Sequence, residues 1–198
     1  MIKFFRQLLY TLLISTLVYA VYQSFSPSNE TQLDHDHFSL AKAKSHVSAI
    51  AQEPHYVGSR AHAKVRNYIT QQLTAIGVDE VHTQQEFSIS DRGQVTIPEN
   101  IVGRLKATQP KPNSKSILLL SHYDSSPHSS FGASDAASGV AIILESLRSY
   151  LATEPEFSND IIICFTDAEE LGLNGAELFV REHPWASDVG LVLNFESR

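Results

Sequence analysis

Two short apolar runs, residues 117–121 and 161–165, constrain the fold of this chain more than any other feature. The first is continuously apolar rather than alternating, the signature of a strand covered on both faces, and the second has the same character. Residues 189–195 form a third strand pattern. Helical patterns separate the three: 136–151 after the first, and 175–182, closed by His183-Pro184, after the second. Such alternation predicts an α/β domain with a mixed, largely parallel central sheet flanked by helices.

Upstream, Leu40, Ala43, Val47 and Ile50 recur at spacings of three and four, predicting an amphipathic helix over 38–51 that Glu53-Pro54 ends. Asp34 or Asp36 is its expected cap, with His35 and His37 solvated rather than ligating a metal. A second helix follows the Gly58-Ser59-Arg60 turn, with Val65, Tyr68, Ile69, Leu73 and Ile76 on one face and Gly77 as C-cap. Residues 81–89 and 95–105 read as strands, and Pro98 predicts that the second is an edge or carries a bulge.

The 198 residues suffice for one domain with a real core. A net charge of −7 argues against a nucleic-acid surface, so no nucleic-acid partner is expected. The single cysteine, Cys164, lies within an apolar strand and reads as a buried, inert thiol. At the N-terminus, Lys3 and Arg6 precede an uncharged stretch, and residues 4–22 predict contact with a membrane. An uncleaved anchor is the favoured reading, although its length is marginal for a full span; a cleaved signal peptide ending at Val18-Tyr19-Ala20 is the alternative. Either way the positive flank stays inside. The body is therefore expected on the non-cytoplasmic side of the membrane, or exported after cleavage. The expected organisation is a segment 1–23, a Ser/Pro-rich linker 24–37 and a domain 38–198.

Functional groups in open α/β sheets collect at the carboxyl ends of the strands. Here those ends read Ser121-His122-Tyr123-Asp124, Thr166-Asp167-Ala168-Glu169-Glu170 and Asn194-Phe195-Glu196. A small-residue loop through Gly132-Ala133-Ser134-Asp135 allows close backbone approach and brings Asp135 toward them. Adjacent Glu169 and Glu170 resist burial and repel each other, so packing alone explains them poorly. Chemistry separates their tasks: one carboxylate holds a metal while its neighbour takes a proton from water. With His122, Asp135 and Glu196 as further ligands, the pattern reads as a zinc hydrolase site, with cobalt or manganese suited to the same donors. The structural alternative makes His122 a satisfied core histidine and Asp135 a helix cap, and it leaves the glutamate pair without a task.

The runs His122-Tyr123-Asp124-Ser125, Gly132-Ala133-Ser134-Asp135, Glu169-Glu170-Leu171-Gly172-Leu173 with Gly175-Ala176, and Asn194-Phe195-Glu196 resemble motifs of the di-zinc exopeptidases of peptidase family M28. The likeness is to their membrane-attached branch, and Pro54-His55-Tyr56-Val57-Gly58-Ser59 extends it upstream. The resemblance implies the zinc exopeptidase fold and a peptide substrate. It implies that His122 and Glu196 ligate one zinc, that Glu170 ligates a second, and that Asp135 bridges them. Glu169 is then the general base, and Asp124 accepts a hydrogen bond from His122. The expected activity is that of an aminopeptidase.

Family members carry one more histidine ligand for the Glu170 zinc, beyond the strand that ends here at Glu196. The chain is therefore expected to be C-terminally incomplete, with one zinc site lacking its histidine and an exposed sheet edge that favours self-association. His128 is a poor replacement. The alternative function is an inactive truncated remnant that keeps the fold core and at most one zinc. A single-zinc acyltransferase of the glutaminyl-cyclase kind needs Asp135, Glu170 and the absent histidine, so it fits less well. A metal-free receptor predicts eroded ligands, which are not found.

Overall fold

The computed structural model of the chain describes residues 2–25, 37–128 and 130–197. Two compact units are distinguished, Met1–Gln32 and Leu33–Arg198. The first contains helix α1, Ile2–Phe25, whose 24 residues extend about 36 Å at 1.5 Å per residue. Within it, Lys3–Gln23 has a mean hydropathy of 1.5, so the helix is long and apolar enough to cross a membrane. The length is thus less marginal than the apolar run alone suggests. Most of the expected linker, residues 26–36, lies outside the described residues, as do Asp34, His35 and Asp36.

In the second unit, α2 (Leu40–Ile50) is capped by Ser39, whose hydroxyl accepts from the Lys42 N–H at 3.3 Å. Helix α3 (Arg60–Ile76) begins at Ser59, whose hydroxyl accepts from His62 N–H, and ends at Gly77 with φ 97°. Strand β1 (Glu80–Gln85) follows, then a two-stranded hairpin of β2 (Ser88–Ile89) and β3 (Val95–Thr96), then β4 (Glu99–Leu105). Each of the two long strands expected here is therefore split. Pro98 falls just before β4, where its missing N–H costs nothing to the ladder. Contrary to expectation, β4 is an interior strand, paired with β1 on one side and with residues 161–165 on the other.

The rest of the chain supplies β5 (Ser116–His122), α4 (Gly139–Leu151), β6 (Ile161–Thr166), α5 (Glu169–Gly172), α6 (Asn174–Glu182) and β7 (Val189–Asn194). The expected helix start at Ala136 shifts to Gly139, because an irregular turn over Ala133–Ser138 comes first. Sheet order is β1-β4-β6-β5-β7, with β5 parallel to β6 and β7, and β4 antiparallel to β6 and β1. Four of the five strands thus run one way, and the carboxyl ends of β5, β6 and β7 meet at one rim.

Burial explains the continuous apolar runs. Ile163 and Phe165 of β6 pack with Ile69 and Leu73 of α3 and Val140 and Leu144 of α4. Their neighbours Ile162 and Cys164 point the other way, against Phe179 of α6 and Trp185. Each fully buried aliphatic side chain contributes about 1.5–3 kcal/mol, so both faces select apolar residues. Strand β7 is an edge among the described residues, with Leu191, Val192 and Leu193 exposed.

Under α6, buried His183 stacks on Phe179 and lies 3.0 Å, Nε2 to Nε2, from His82 of β1. Burial, with His82 adding to it, holds the His183 pKa down at about 4. The unfolded chain takes up this proton near pH 6.5 and the native chain does not, so the contribution to stability is complete above 6.5 and is lost as pH falls toward 4. Urea unfolding should show wild type losing about 2 kcal/mol relative to His183→Phe between pH 7 and pH 4. Parallel profiles for the two proteins would contradict this assignment.

Candidate functional site

His122 ends β5, and the chain turns at once so that Tyr123 and Asp124 are wholly buried. The imidazole Nδ1 donates to the Asp124 carbonyl at 3.1 Å, with an Asp124 carboxylate oxygen 3.4 Å away. This fixes the ring and turns Nε2 toward the rim. There Nε2 meets Asp135 Oδ1 at 2.8 Å, Glu196 Oε1 at 3.6 Å and Glu169 Oε2 at 4.0 Å.

Asp135 reaches this point because its own backbone is not helical (φ −111°, ψ 97°); the Asp135–Ala136 peptide is cis. Gly132 has φ 63°, and a Cβ there would lie 2.9 Å from His55 Cε1 and 3.1 Å from the Asp135 carbonyl. Only glycine fits under the loop. Buried His55 supports the same region, its N–H donating to Ser125 Oγ at 2.9 Å. On the other side, a Cβ at Gly139 would lie 2.6 Å from the Phe195 carbonyl, so α4 abuts the segment that presents Glu196.

Glu169 and Glu170 sit on a turn entered through Ala168 at φ 57°. The Asp124 carboxylate accepts both of their N–H groups, from Glu169 at 3.1 Å and from Glu170 at 3.3 Å. Asp124 thus serves both neighbours: its carbonyl and a carboxylate oxygen lie 3.1 and 3.4 Å from His122 Nδ1, and its carboxylate also holds the glutamate turn.

Charge is unbalanced at this rim. Burial pulls the His122 pKa down, yet Asp124, Glu169 and Glu196 outweigh it and raise it to about 9. Burial also raises Glu169, His122 pulls it back, and Asp124, Glu196 and Asp135 push it up. Glu170 is raised by burial first, then by Asp135, Asp124 and Glu169. One imidazole thus lies within 4.0 Å of four carboxylates, with Glu170 nearby, an excess of negative charge that a divalent cation would neutralise.

The donor set fits such an ion. One ligand atom each from His122, Asp135 and Glu196 lie within 4.8 Å of one another. Zinc bonds of 2.0–2.2 Å in tetrahedral geometry place ligand atoms about 3.4 Å apart, between the 2.8 and 3.6 Å found for His122. Glu170 stands outside this trio. Among the described residues no group of three ligating side chains includes Glu170, His128 or His183. Glu170 instead lines a cavity of about 70 Å³ with Tyr56, Val57, Asp124, Ser125, Pro127 and Leu171.

Of the residues the sequence marks, His122, Asp124, Asp135, Glu169, Glu170 and Glu196, the structure gathers all but Glu170 around the His122 ring. The sequence assigns no role to the buried groups beneath the glutamate turn, His62, Asp167 and Asn100. His62 and Asp167 are 105 residues apart, and no periodicity links them.

The sequence model of Peptidase family M28 matches residues 100–198. A vacuolar membrane protease of Yarrowia lipolytica is 33% identical over 206 residues, covering 94% of this chain and 20% of the relative. The chain therefore spans about a fifth of that relative's length. Among solved structures, a Zn-dependent exopeptidase of Parabacteroides distasonis superposes with a TM-score of 0.63 at 24% identity, covering 76% of this chain and 58% of the other. A glutaminyl cyclase of Porphyromonas gingivalis gives 0.64 at 25% identity, covering 74% and 54%.

Proposed function

The chain belongs to peptidase family M28, and from that premise we propose that it is a zinc-dependent aminopeptidase, anchored by α1 with its catalytic unit on the non-cytoplasmic side. The observation that carries this reading is the convergence of His122, Asp135 and Glu196 beside Glu169 at one rim of the sheet. His122, Asp135 and Glu196 would hold one zinc, and Asp135 with Glu170 would contribute to a second. Zinc bound there supplies a Lewis acid for the scissile carbonyl and for water.

The chain's own residues do the rest. Asp124 locks the His122 ring through its carbonyl, leaving Nε2 free to ligate. Glu169, whose side chain is 33% exposed, takes the proton of the attacking water on a carboxylate oxygen and delivers it to the leaving amine. The positive flank of α1, Lys3 and Arg6, supports the orientation. The exposed edge of β7 favours self-association of the unit.

The cyclase among the structural neighbours raises a second reading. On the resemblance that chemistry relies on Asp135, Glu170 and a further histidine, whereas the donor group assembled here is His122, Asp135 and Glu196. Hydrolysis is the better supported reaction.

Elemental analysis of the detergent-purified chain tests the reading, together with amide release from aminoacyl substrates. Wild type should retain at least one zinc, and His122→Ala should lower zinc affinity by about 100-fold or more, since loss of even an outer partner costs 10–100-fold. A folded wild-type protein that takes up no zinc would overturn the proposal.

A further inference from the structure

Beneath the glutamate turn lies a second buried carboxylate that the chemistry above does not use. Asp167 is 0% exposed, yet both of its oxygens are occupied. Oδ1 accepts from His62 Nε2 at 2.8 Å and from the Ala168 N–H at 2.8 Å, and Oδ2 accepts from the Glu99 N–H at 2.8 Å. Its backbone is held as well: its N–H donates to Asn100 Oδ1 at 3.0 Å, and its carbonyl accepts from Gly175 N–H at 2.9 Å.

Three successive amides, those of Ala168, Glu169 and Glu170, are thus divided between two buried aspartates. Asp167 takes the first and Asp124 the next two. These bonds meet the turn from the N–H side, where Ala168 is left-handed (φ 57°), while the Asn174 and Leu173 N–H groups hold the Ala168 and Glu169 carbonyls at 3.2 and 3.0 Å. His62 is the link from outside the rim. It comes from α3, donates to Asp167, and stacks on Tyr123 with ring centroids 5.0 Å apart. Tyr123 lies between His122 and Asp124, and its hydroxyl donates to the Glu99 carbonyl at 2.8 Å. One imidazole therefore touches both the strand end that carries His122 and the one that carries Glu169.

We infer that His62 and Asp167 form a positioning pair that sets the Glu169-Glu170 turn against His122. The inference rests on the peptidase reading for its effect on turnover, but not for its effect on the backbone. Neither residue reaches substrate; they act through the amides of 168–170. His62→Phe keeps the stack on Tyr123 and removes the donor, while His62→Gln keeps a side-chain N–H where Nε2 stood.

Residue-resolved amide hydrogen exchange on the full chain in detergent is the deciding measurement. Exchange at 168–170 should quicken at least about tenfold in His62→Phe and stay near wild type in His62→Gln, with 162–165 of β6 unchanged in both. For aminoacyl substrates, kcat should fall about 10–100-fold in His62→Phe with KM kept, and recover in His62→Gln. Wild-type exchange at 168–170 in His62→Phe, or equal quickening throughout β6, overturns the inference. Should His62→Phe not fold, His62→Leu replaces it; it too removes the donor to Asp167, and it must loosen 168–170 in the same way. A wild type without turnover would sink the peptidase reading, and the exchange data would still decide the pair.

Discussion

Glu169→Gln is expected to lower kcat for amide hydrolysis by about 10³-fold while zinc stays bound and KM stays within about twofold. The reason is geometric. Glu169 Oε2 stands 4.0 Å from His122 Nε2, beside the trio of donors but not among them. Glutamine preserves the volume and the Asp124 contact through its backbone N–H, and it removes only the ability to carry a proton. The contrast with His122→Ala is diagnostic, because that change removes the metal and turnover together. The pH profile adds a second check. A base works only when deprotonated, so wild-type kcat/KM should fall on the acid side as Glu169 takes up its proton. The residual activity of Glu169→Gln should lack that fall. A variant within tenfold of wild type would remove Glu169 from the mechanism.

Gly175→Ala should produce the largest loss of stability, about 3 kcal/mol or more, read as a lowered denaturation midpoint. A Cβ at this position overlaps Asn100 Oδ1 and the Asp167 carbonyl and lies 2.7 Å from Asp167 N. None of these atoms can yield cheaply. Asn100 Nδ2 donates to the Gly175 carbonyl at 2.7 Å, Asn100 Oδ1 accepts from Asp167 N–H, and both residues are 0% exposed. Moving α6 away breaks a buried hydrogen-bond set instead, at about 1–3 kcal/mol for each unsatisfied group. A midpoint close to wild type would show that α6 tolerates displacement.

Much of this architecture is legible in the amino-acid sequence. The buried strands, the capping glycine at 77 and the N-terminal apolar helix follow from patterns confined to short windows. His122, Asp135, Glu169 and Glu196 are legible for a related reason: strand ends in an α/β sheet carry chemistry, and charged residues there are easy to see against apolar runs. Other features are not legible. Pro98 marks an entry to an interior strand rather than an edge, because which strand lies beside β4 depends on crossovers that leave no local trace. Ser39 caps α2 where an upstream aspartate was expected, a choice among several good caps that the surrounding packing makes.

The sequence by itself determined the fold class, the rim at which chemistry collects and the residue types placed there, because hydrophobic periodicity and strand-end charge are local properties of the chain. The resemblance already grouped His122, Asp135 and Glu196 apart from Glu170, but only the tertiary structure set the distances between these donors and the contacts beneath them. It gave the Asp124 carboxylate to two amides 45 and 46 residues away, and joined His62 to Asp167 across 105. A buried hydrogen bond needs its partner within about 3 Å in space and is indifferent to separation along the chain, so it leaves no mark in the sequence.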